Sequence, residues 1–153
     1  MWFRVDNRLI HGQVIEGWLP YTGAGHLVVV GDLLAEDDLR QQIMVLAVPR
    51  HIDVRFVRVR ELAAVLAALP DDTFVLFENC QDARSVCRDG VKIPVLNIGN
   101  IHYAPGKHQV YPHVALSDAD VEDLRTLIRE QLLQLDFRAV PSQVVKAPDE
   151  QLF

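Results

Sequence analysis

The sequence predicts a single α/β domain with a mostly parallel sheet of about seven strands and helices on both faces. Short apolar and β-branched segments alternate with longer amphipathic segments along the whole chain. The segment His26–Val30 is apolar after its first residue, which is typical of a parallel strand covered on both sides. A length of 153 residues suits one domain. We therefore expect one domain over residues 1–153, with about residues 142–153 as a C-terminal tail.

Each strand and helix is predicted from local residue patterns. The strands are expected over residues 1–5, 26–30, 53–57, 73–77, 93–98, 110–116 and 136–140. Pro112 interrupts the sixth strand and places it near an edge of the sheet. Helices are expected over residues 13–21, 34–48, 60–69, 82–88 and 118–135, where Ser117 can cap the last one. The 34–48 helix is expected to bury one apolar face, formed by Leu39, Ile43, Leu46 and Ala47.

Composition excludes several classes of protein. The net charge of −6 argues against a general nucleic-acid binder, which usually carries a basic face. No apolar stretch approaches the roughly 20 residues of a membrane span, and no signal peptide is visible, so a soluble, cytoplasmic protein is expected. Cys80 and Cys87 lack zinc-site spacing and are expected to be reduced thiols. No set of metal ligands is evident, and neither a metal nor another cofactor is predicted.

The stretch Arg4–Val14 is the strongest candidate for a functional site. It follows the first strand, contains Asp6, Arg8 and His11, and leads into a helix, where backbone N–H groups favour anions. Two further loops, 78–81 and 97–100, also follow strands. Ligands bind parallel sheets beyond the carboxyl ends of the strands, so neighbouring strands would bring the three loops into one site. A histidine in such a place can act as a nucleophile.

The segment Arg4–Val14, with the sequence RVDNRLIHGQV, closely resembles the start of the IIB components of the mannose/fructose/sorbose class of sugar phosphotransferase systems. Gly17-Trp18, the Asn97-Ile98-Gly99-Asn100 loop and Ala139-Val140-Pro141 also resemble features of that family. The resemblance covers residues 4 to about 141. Two features depart from the family pattern: the sequence Glu78-Asn79-Cys80, and Asn100 in place of a glycine found in many relatives.

The resemblance implies that His11 carries a phosphoryl group, on the Nδ1 atom. The donor would be a phosphohistidine IIA protein, and the acceptor a sugar imported by IIC/IID membrane components. Arg8 would bind phosphate oxygens, and Gly12 and Gln13 would offer backbone N–H groups. Asp6 would orient the ring or Arg8, or shape the loop, while an Arg8–Asp6 surface ion pair is the simpler alternative. Further phosphate-site candidates, each with an ordinary structural alternative, are Asn79, Asn97, Gly99 and Asn100.

Other functions remain open at the level of the sequence. One is a regulatory phosphohistidine protein of an incomplete phosphotransferase system that moves no sugar. A phosphatase or nucleotide-binding domain is disfavoured, because the chain has neither an Arg-His-Gly triplet nor a glycine-rich phosphate loop. Apolar surface around Trp18 could support a homodimer. Because the protein must meet two partners in turn, His11 is expected to be exposed beside Arg8.

Overall fold

A twisted parallel sheet organises the computed structural model, which describes all 153 residues. Its strands are β1 Trp2–Asp6, β2 His26–Val30, β3 Asp53–Val57, β4 Thr73–Phe77, β5 Val95–Asn100 and β8 Gln134–Asp136. They lie in the order β3-β2-β4-β1-β5-β8. Two more strands, β6 His108–Tyr111 and β7 Val114–Leu116, form a separate antiparallel hairpin. The predicted single-domain α/β class is confirmed, and the parallel sheet has six strands where about seven were predicted.

Helices cover both faces of the sheet. The first is a π-helical segment, Gln13–Trp18, which continues as α1 Leu19–Thr22. The others are α2 Asp38–Val45, α3 Leu62–Ala67, α4 Cys80–Arg88 and α5 Asp118–Gln131, with short 3-10 turns at Leu34–Glu36 and Val59–Glu61. Ser117 caps α5 as predicted, since its hydroxyl accepts a hydrogen bond from the Asp120 N–H. No helix is long and apolar enough to cross a bilayer.

The two faces carry cores of different size. The larger core joins Phe3 and Val5 of β1 to residues of α3, α4 and α5. The smaller core joins Phe74 and Leu76 of β4 to Val14 and Trp18 of the π-helical segment. Side chains alternate along a strand, so Phe3 and Val5 face the larger core and Arg4 and Asp6 face the smaller one. Two charged residues of β1 thus point towards the side covered by the first helix.

Several sequence-based expectations are wrong in detail. The apolar face expected in the second helix is exposed, because α2 has no buried residue and Leu39 is 68% accessible. The predicted sixth strand is the β6–β7 hairpin, because Pro112 and His113 form its turn. The last strand ends at Asp136, where the prediction placed its start. Trp18 itself is buried, but Tyr21, which packs against its ring, is exposed, so the homodimer predicted on the apolar surface around Trp18 stays a prediction.

The loop after β1 lies at a point where the sheet topology opens a crevice. The neighbours β1 and β5 are both parallel strands, so their carboxyl ends meet at one edge. From there β1 leads across β4 to β2, whereas β5 leads away towards the hairpin and β8. Connections that leave adjacent strands in opposite directions create a binding crevice between them.

Candidate functional site

An irregularity in the β1–β5 pairing brings four polar side chains together. Arg4 pairs with Asn97 and Val5 with Ile98, but the register then shifts and Asp6 pairs with Asn100. Gly99 is the extra residue of this bulge in β5. In regular alternation Asn100 would face the opposite side from Asn97, and the bulge returns it to the side of Arg4 and Asp6.

The carboxylate of Asp6 is the centre of the cluster, and its side chain is fully buried. The Oδ2 atom accepts hydrogen bonds from Arg4 Nη2 at 2.9 Å, from Asn100 Nδ2 at 2.9 Å and from His11 Nε2 at 2.7 Å. The Oδ1 atom accepts one from the backbone N–H of Arg8 at 2.9 Å. Burial alone would raise the pKa of Asp6, but the His11 hydrogen bond and the charge of Arg4 outweigh burial, and the pKa is lowered. Asp6 is therefore a buried anion.

His11 presents one ring nitrogen to Asp6 and leaves the other free. Because the Asp6 carboxylate can only accept, Nε2 must carry the shared proton, which makes Nδ1 the nitrogen with a lone pair in the neutral ring. Nδ1 has no hydrogen-bond partner within the protein. Only 13% of the His11 side chain is exposed, so the expectation of an exposed histidine is wrong. The hydrogen bond to the buried Asp6 carboxylate keeps the His11 ring close to the protein surface and largely shielded from solvent.

The loop around His11 is held in an unusual backbone conformation. Leu9 is buried and has φ of +57°, a region that non-glycine residues seldom adopt. Asn7 anchors the loop from outside, since its Nδ2 donates to Glu78 O at 2.8 Å and its Oδ1 accepts from His102 N at 2.7 Å. The backbone N–H groups of residues 10–13 donate to no acceptor in the protein. This part of the loop therefore presents unpaired donors on both sides of His11 in the chain.

Arg8 and Arg4 have opposite environments. The Arg8 side chain is exposed, and its guanidinium makes no ion pair or hydrogen bond, so the predicted alternative of an Arg8–Asp6 surface pair is wrong. Arg4 is the cation paired with Asp6, and its side chain is fully buried. Burial lowers the pKa of Arg4, while the Asp6 carboxylate opposes that change.

Arg4 is enclosed by groups from distant parts of the chain. Its Nη1 donates to Asn97 Oδ1 at 2.5 Å, and its Nη2 donates to the carbonyl of Ala139 at 3.1 Å. The Trp18 ring stacks on the guanidinium of Arg4 at 5.4 Å and on that of Arg138 at 5.3 Å. Trp18 also donates to Ala139 O at 2.9 Å. The segment after β8, through Arg138 and Ala139, therefore covers the side of the site on which Arg4 lies.

The structure divides the predicted phosphate-site residues into three groups. Asp6, Gln13 and Asn100 are linked to His11 directly or through one another. Asn97 contacts Arg4 rather than His11, and Gly99 leaves the space that the Arg4 guanidinium occupies. Asn79 caps α4 by accepting from Asp82 N at 2.8 Å, which is the structural alternative considered for it, and it makes no hydrogen bond to the His11 cluster.

Three residues of the cluster, Arg4, Asn7 and Arg138, were not predicted as site residues. Arg4 could have been, because it is a charged residue inside an apolar strand, and a buried charge requires a partner such as Asp6, two positions further along the same face. Asn7 could also have been, because it follows the strand in the same polar stretch. Arg138 lies 134 residues away from Arg4, and no local pattern indicates that contact.

The remaining chemically reactive groups offer no second centre. Both cysteines are buried, and burial raises the pKa of the Cys80 thiol and raises that of Cys87 to about 11. No group of three or more His, Cys, Asp or Glu side chains is arranged to hold a metal ion. The cluster around His11 is therefore the chemical site that the structure offers.

Comparison with known proteins identifies the family to which this arrangement corresponds. The sequence profile described as "PTS system sorbose subfamily IIB component" matches residues 1–152. The chain is 33% identical over 150 residues to the N-acetylgalactosamine-specific phosphotransferase enzyme IIB component 1 of Escherichia coli K12, covering 95% of this chain and 94% of that protein. It is 30% identical over 140 residues to the mannose-specific EIIAB component of the same strain, covering 90% of this chain and 43% of that protein. A crystal structure of an N-acetyl-galactosamine IIB component from Streptococcus pyogenes superimposes with a TM-score of 0.91 at 26% identity, covering 99% of this chain and 94% of that one.

Proposed function

We propose that this chain, which belongs to the sorbose subfamily of PTS IIB components, carries a phosphoryl group on Nδ1 of His11 between a phosphohistidine IIA protein and a sugar. As a IIB component it is a phosphotransferase of a sugar phosphotransferase system. The observation that carries the proposal is the state of the His11 ring. Asp6 holds Nε2, Nδ1 has no partner in the protein, and the backbone N–H groups of residues 10–13 are unpaired.

In the first half of the reaction, His11 acts as a nucleophile. The lone pair of Nδ1 forms a bond to phosphorus while the bond between phosphorus and the donor nitrogen breaks. The proton on Nε2 stays in place, so the ring gains positive charge as the N–P bond forms. The buried Asp6 carboxylate stabilises that charge through its 2.7 Å hydrogen bond, as a carboxylate does for the histidine of a hydrolase triad.

The phosphoryl oxygens need donors of their own. The Arg8 guanidinium has no partner in the protein and is exposed next to the loop, so it can bind phosphate in bidentate fashion. The backbone N–H groups of Gly12 and Gln13 are likewise unpaired. Phosphoryl transfer depends mainly on positioning and charge stabilisation, and these groups supply both without a metal ligand set.

The second half transfers the group to a sugar hydroxyl. The hydroxyl oxygen attacks phosphorus while the Nδ1–P bond breaks, and the bonding pair returns to Nδ1, which leaves the His11 ring neutral. The hydroxyl proton passes to solvent water. We place this step at IIC/IID membrane components that deliver the sugar. The likeness to a mannose-specific protein that joins IIA and IIB in one chain supports a IIA donor, because it places both carriers in one polypeptide.

The proposal is tested by following labelled phosphate from a phosphorylated IIA protein to this chain. We expect the wild type to take up label that is lost in mild acid, and peptide mapping to place it on His11. His11→Ala should take up none. His51→Ala is the matched control because His51 is an exposed histidine outside the site, and it should be labelled normally. Acid-labile uptake by His11→Ala would contradict the assignment.

Transfer to sugar is tested separately in membranes that contain the IIC/IID components. Phosphorylated protein should lose its label to the imported sugar, and His11→Ala should support no sugar phosphorylation. Uptake and phosphorylation that continue without this chain would contradict its role in sugar transfer, even if His11 is phosphorylated.

A further inference from the structure

The side chain of Asn100 connects the two ends of the His11 loop. Its Nδ2 donates one hydrogen bond to Asp6 Oδ2 at 2.9 Å and another to Gln13 Oε1 at 2.8 Å. Asp6 precedes the loop and Gln13 follows His11. Asn100 is 6% exposed, and its backbone carbonyl also accepts from Asn7 N at 2.9 Å. One residue of β5 therefore reaches both sides of the nucleophile.

The chemistry of the contacts determines how the Asn100 amide is oriented. The Asp6 carboxylate can only accept hydrogen bonds, so the atom facing it must be the NH₂ group of Asn100. The two N–H bonds of that group are then both used, one by Asp6 and one by Gln13. No N–H of this side chain is left for a phosphate oxygen. Asn100 therefore does not fit the phosphate-binding role predicted for it.

We infer that Asn100 is a positioning residue for phosphoryl transfer at His11, which bridges Asp6 and Gln13 so that Asp6 stays aligned with Nε2 and Nδ1 remains the nitrogen that faces the donor. This inference rests on the proposed function of His11. Arg4 approaches the same Oδ2 atom from β1, and Asn100 approaches it from β5. The Asp6 carboxylate is thus held from two strands, and rotation away from His11 would break both contacts.

The first test replaces Asn100 by aspartate, which has almost the same shape but can donate at most one hydrogen bond, and only while its carboxyl is protonated. In Asn100→Asp the new carboxyl faces Asp6 and Gln13 Oε1. Two carboxyl groups in one buried site do not readily ionise together, so the new group can hold only one of its two partners while it is protonated and repels the Asp6 carboxylate once it ionises. The other charged groups around the carboxylate, Arg4 on β1 and Asp136 and Arg138 near Arg4, are unchanged.

We expect phosphorylation of Asn100→Asp by IIA at neutral pH to be about 10- to 100-fold slower than that of the wild type. Relative to the wild type, the rate should fall further as the pH is raised, because ionisation of the new carboxyl removes its last donor and places two negative charges together. A variant that was merely less stable would not show this added dependence on pH. Gln134→Glu also changes an amide to a carboxylate, at an exposed position of β8, and should keep the wild-type rate and pH profile. A wild-type rate and pH profile in Asn100→Asp would overturn the inference.

A second measurement uses the wild type and does not depend on phosphoryl transfer or on the variant folding. In a nitrogen-15 NMR titration, the unphosphorylated His11 ring should carry its proton on Nε2, and the Asn100 amide signals should shift as His11 titrates. Amide signals that exchange freely with water and do not respond to His11 would overturn the inference. If the wild type takes up no phosphate while these signals respond, the proposed function fails and the bridge stands.

Discussion

Two clusters of charge lie at the same edge of the sheet and have opposite character. In the carboxyl half of β1, Arg4 and Asp6 form an ion pair whose side chains are both fully buried. Beyond β2 and β3, Arg58 pairs with Glu36, and their side chains are 31% and 60% exposed. The first pair is completed by Asn97, Asn100 and His11, whereas the second is surrounded by water and other carboxylates. We therefore expect an arginine–carboxylate pair to be essential for the stability of the fold in the first cluster and dispensable in the second.

The difference follows from desolvation. A buried charge that loses its partner keeps its desolvation cost, whereas an exposed charge is solvated by water instead. The buried pair differs in a second way, because Asp6 also sets the position of the His11 ring. Four experiments test whether desolvation separates the two clusters in this way.

Removal of Arg4 has the largest expected effect. Arg4→Met keeps much of the side-chain volume but leaves Asp6 buried without its cation, and we expect a loss of about 3–5 kcal/mol in the free energy of unfolding. Urea denaturation measures this loss. Combining Arg4→Met with Asp6→Asn removes both charges and should recover part of it. If Arg4→Met alone were as stable as the wild type, the pair would not be essential for the stability of the fold.

A methyl group at Gly99 tests the same cluster from the side of β5. The Cβ of Gly99→Ala would overlap the guanidinium of Arg4, which cannot move without losing its bonds to Asp6, Asn97 and Ala139. We expect a loss of about 1–3 kcal/mol by overpacking. At Gly31 an added Cβ meets its nearest neighbour, Leu34 Cβ, at an ordinary 3.6 Å, so Gly31→Ala is the control for thermal unfolding. Equal melting temperatures for the two variants would show that Arg4 is not confined as described.

Acid should destabilise the folded protein through the buried cluster. The pKa of Asp6 is lowered in the folded protein, so its contribution to stability is present above the unfolded-state pKa and is lost as the pH falls below about 4. Asp136 behaves in the same way, because its hydrogen bonds with Arg138 outweigh the effect of burial and lower its pKa. The urea concentration at the unfolding midpoint should therefore decrease as the pH is lowered from about 5 to about 2. Asp6→Asn should show a weaker dependence on pH, and an unchanged dependence would exclude Asp6 as its source.

The smallest effect is expected at the exposed pair. Arg58→Gln removes the partner of Glu36, but water can solvate both residues in the folded state. We expect the free energy of unfolding to stay within experimental error of the wild type, and added salt to leave the variant unaffected. A loss comparable to that of Arg4→Met would remove the distinction between the two clusters.

Much of the fold could be predicted from the sequence because its signals are local. The uninterrupted apolar run of β2 and the capping residues of α5 depend on neighbours a few positions away, and both elements form where expected. The errors have a common cause. Leu39 and Ile43 have the spacing of a buried helical face, but spacing cannot show whether the rest of the protein covers that face.

The family, the α/β class and the choice of His11 as the candidate nucleophile all follow from the amino-acid sequence, since they depend on the continuous motif from Arg4 to Val14 and on the alternation of elements. The partners of each motif residue follow from the tertiary fold instead. The bulge at Gly99 turns Asn100 towards Asp6, and the segment after β8 brings Ala139 to Arg4. Such contacts join residues up to 135 positions apart, and burial then determines which charges are paired. For that reason the sequence left open whether Asp6 contacts the histidine ring or Arg8, whereas the fold places the carboxylate against both His11 and Arg4 and leaves Arg8 free.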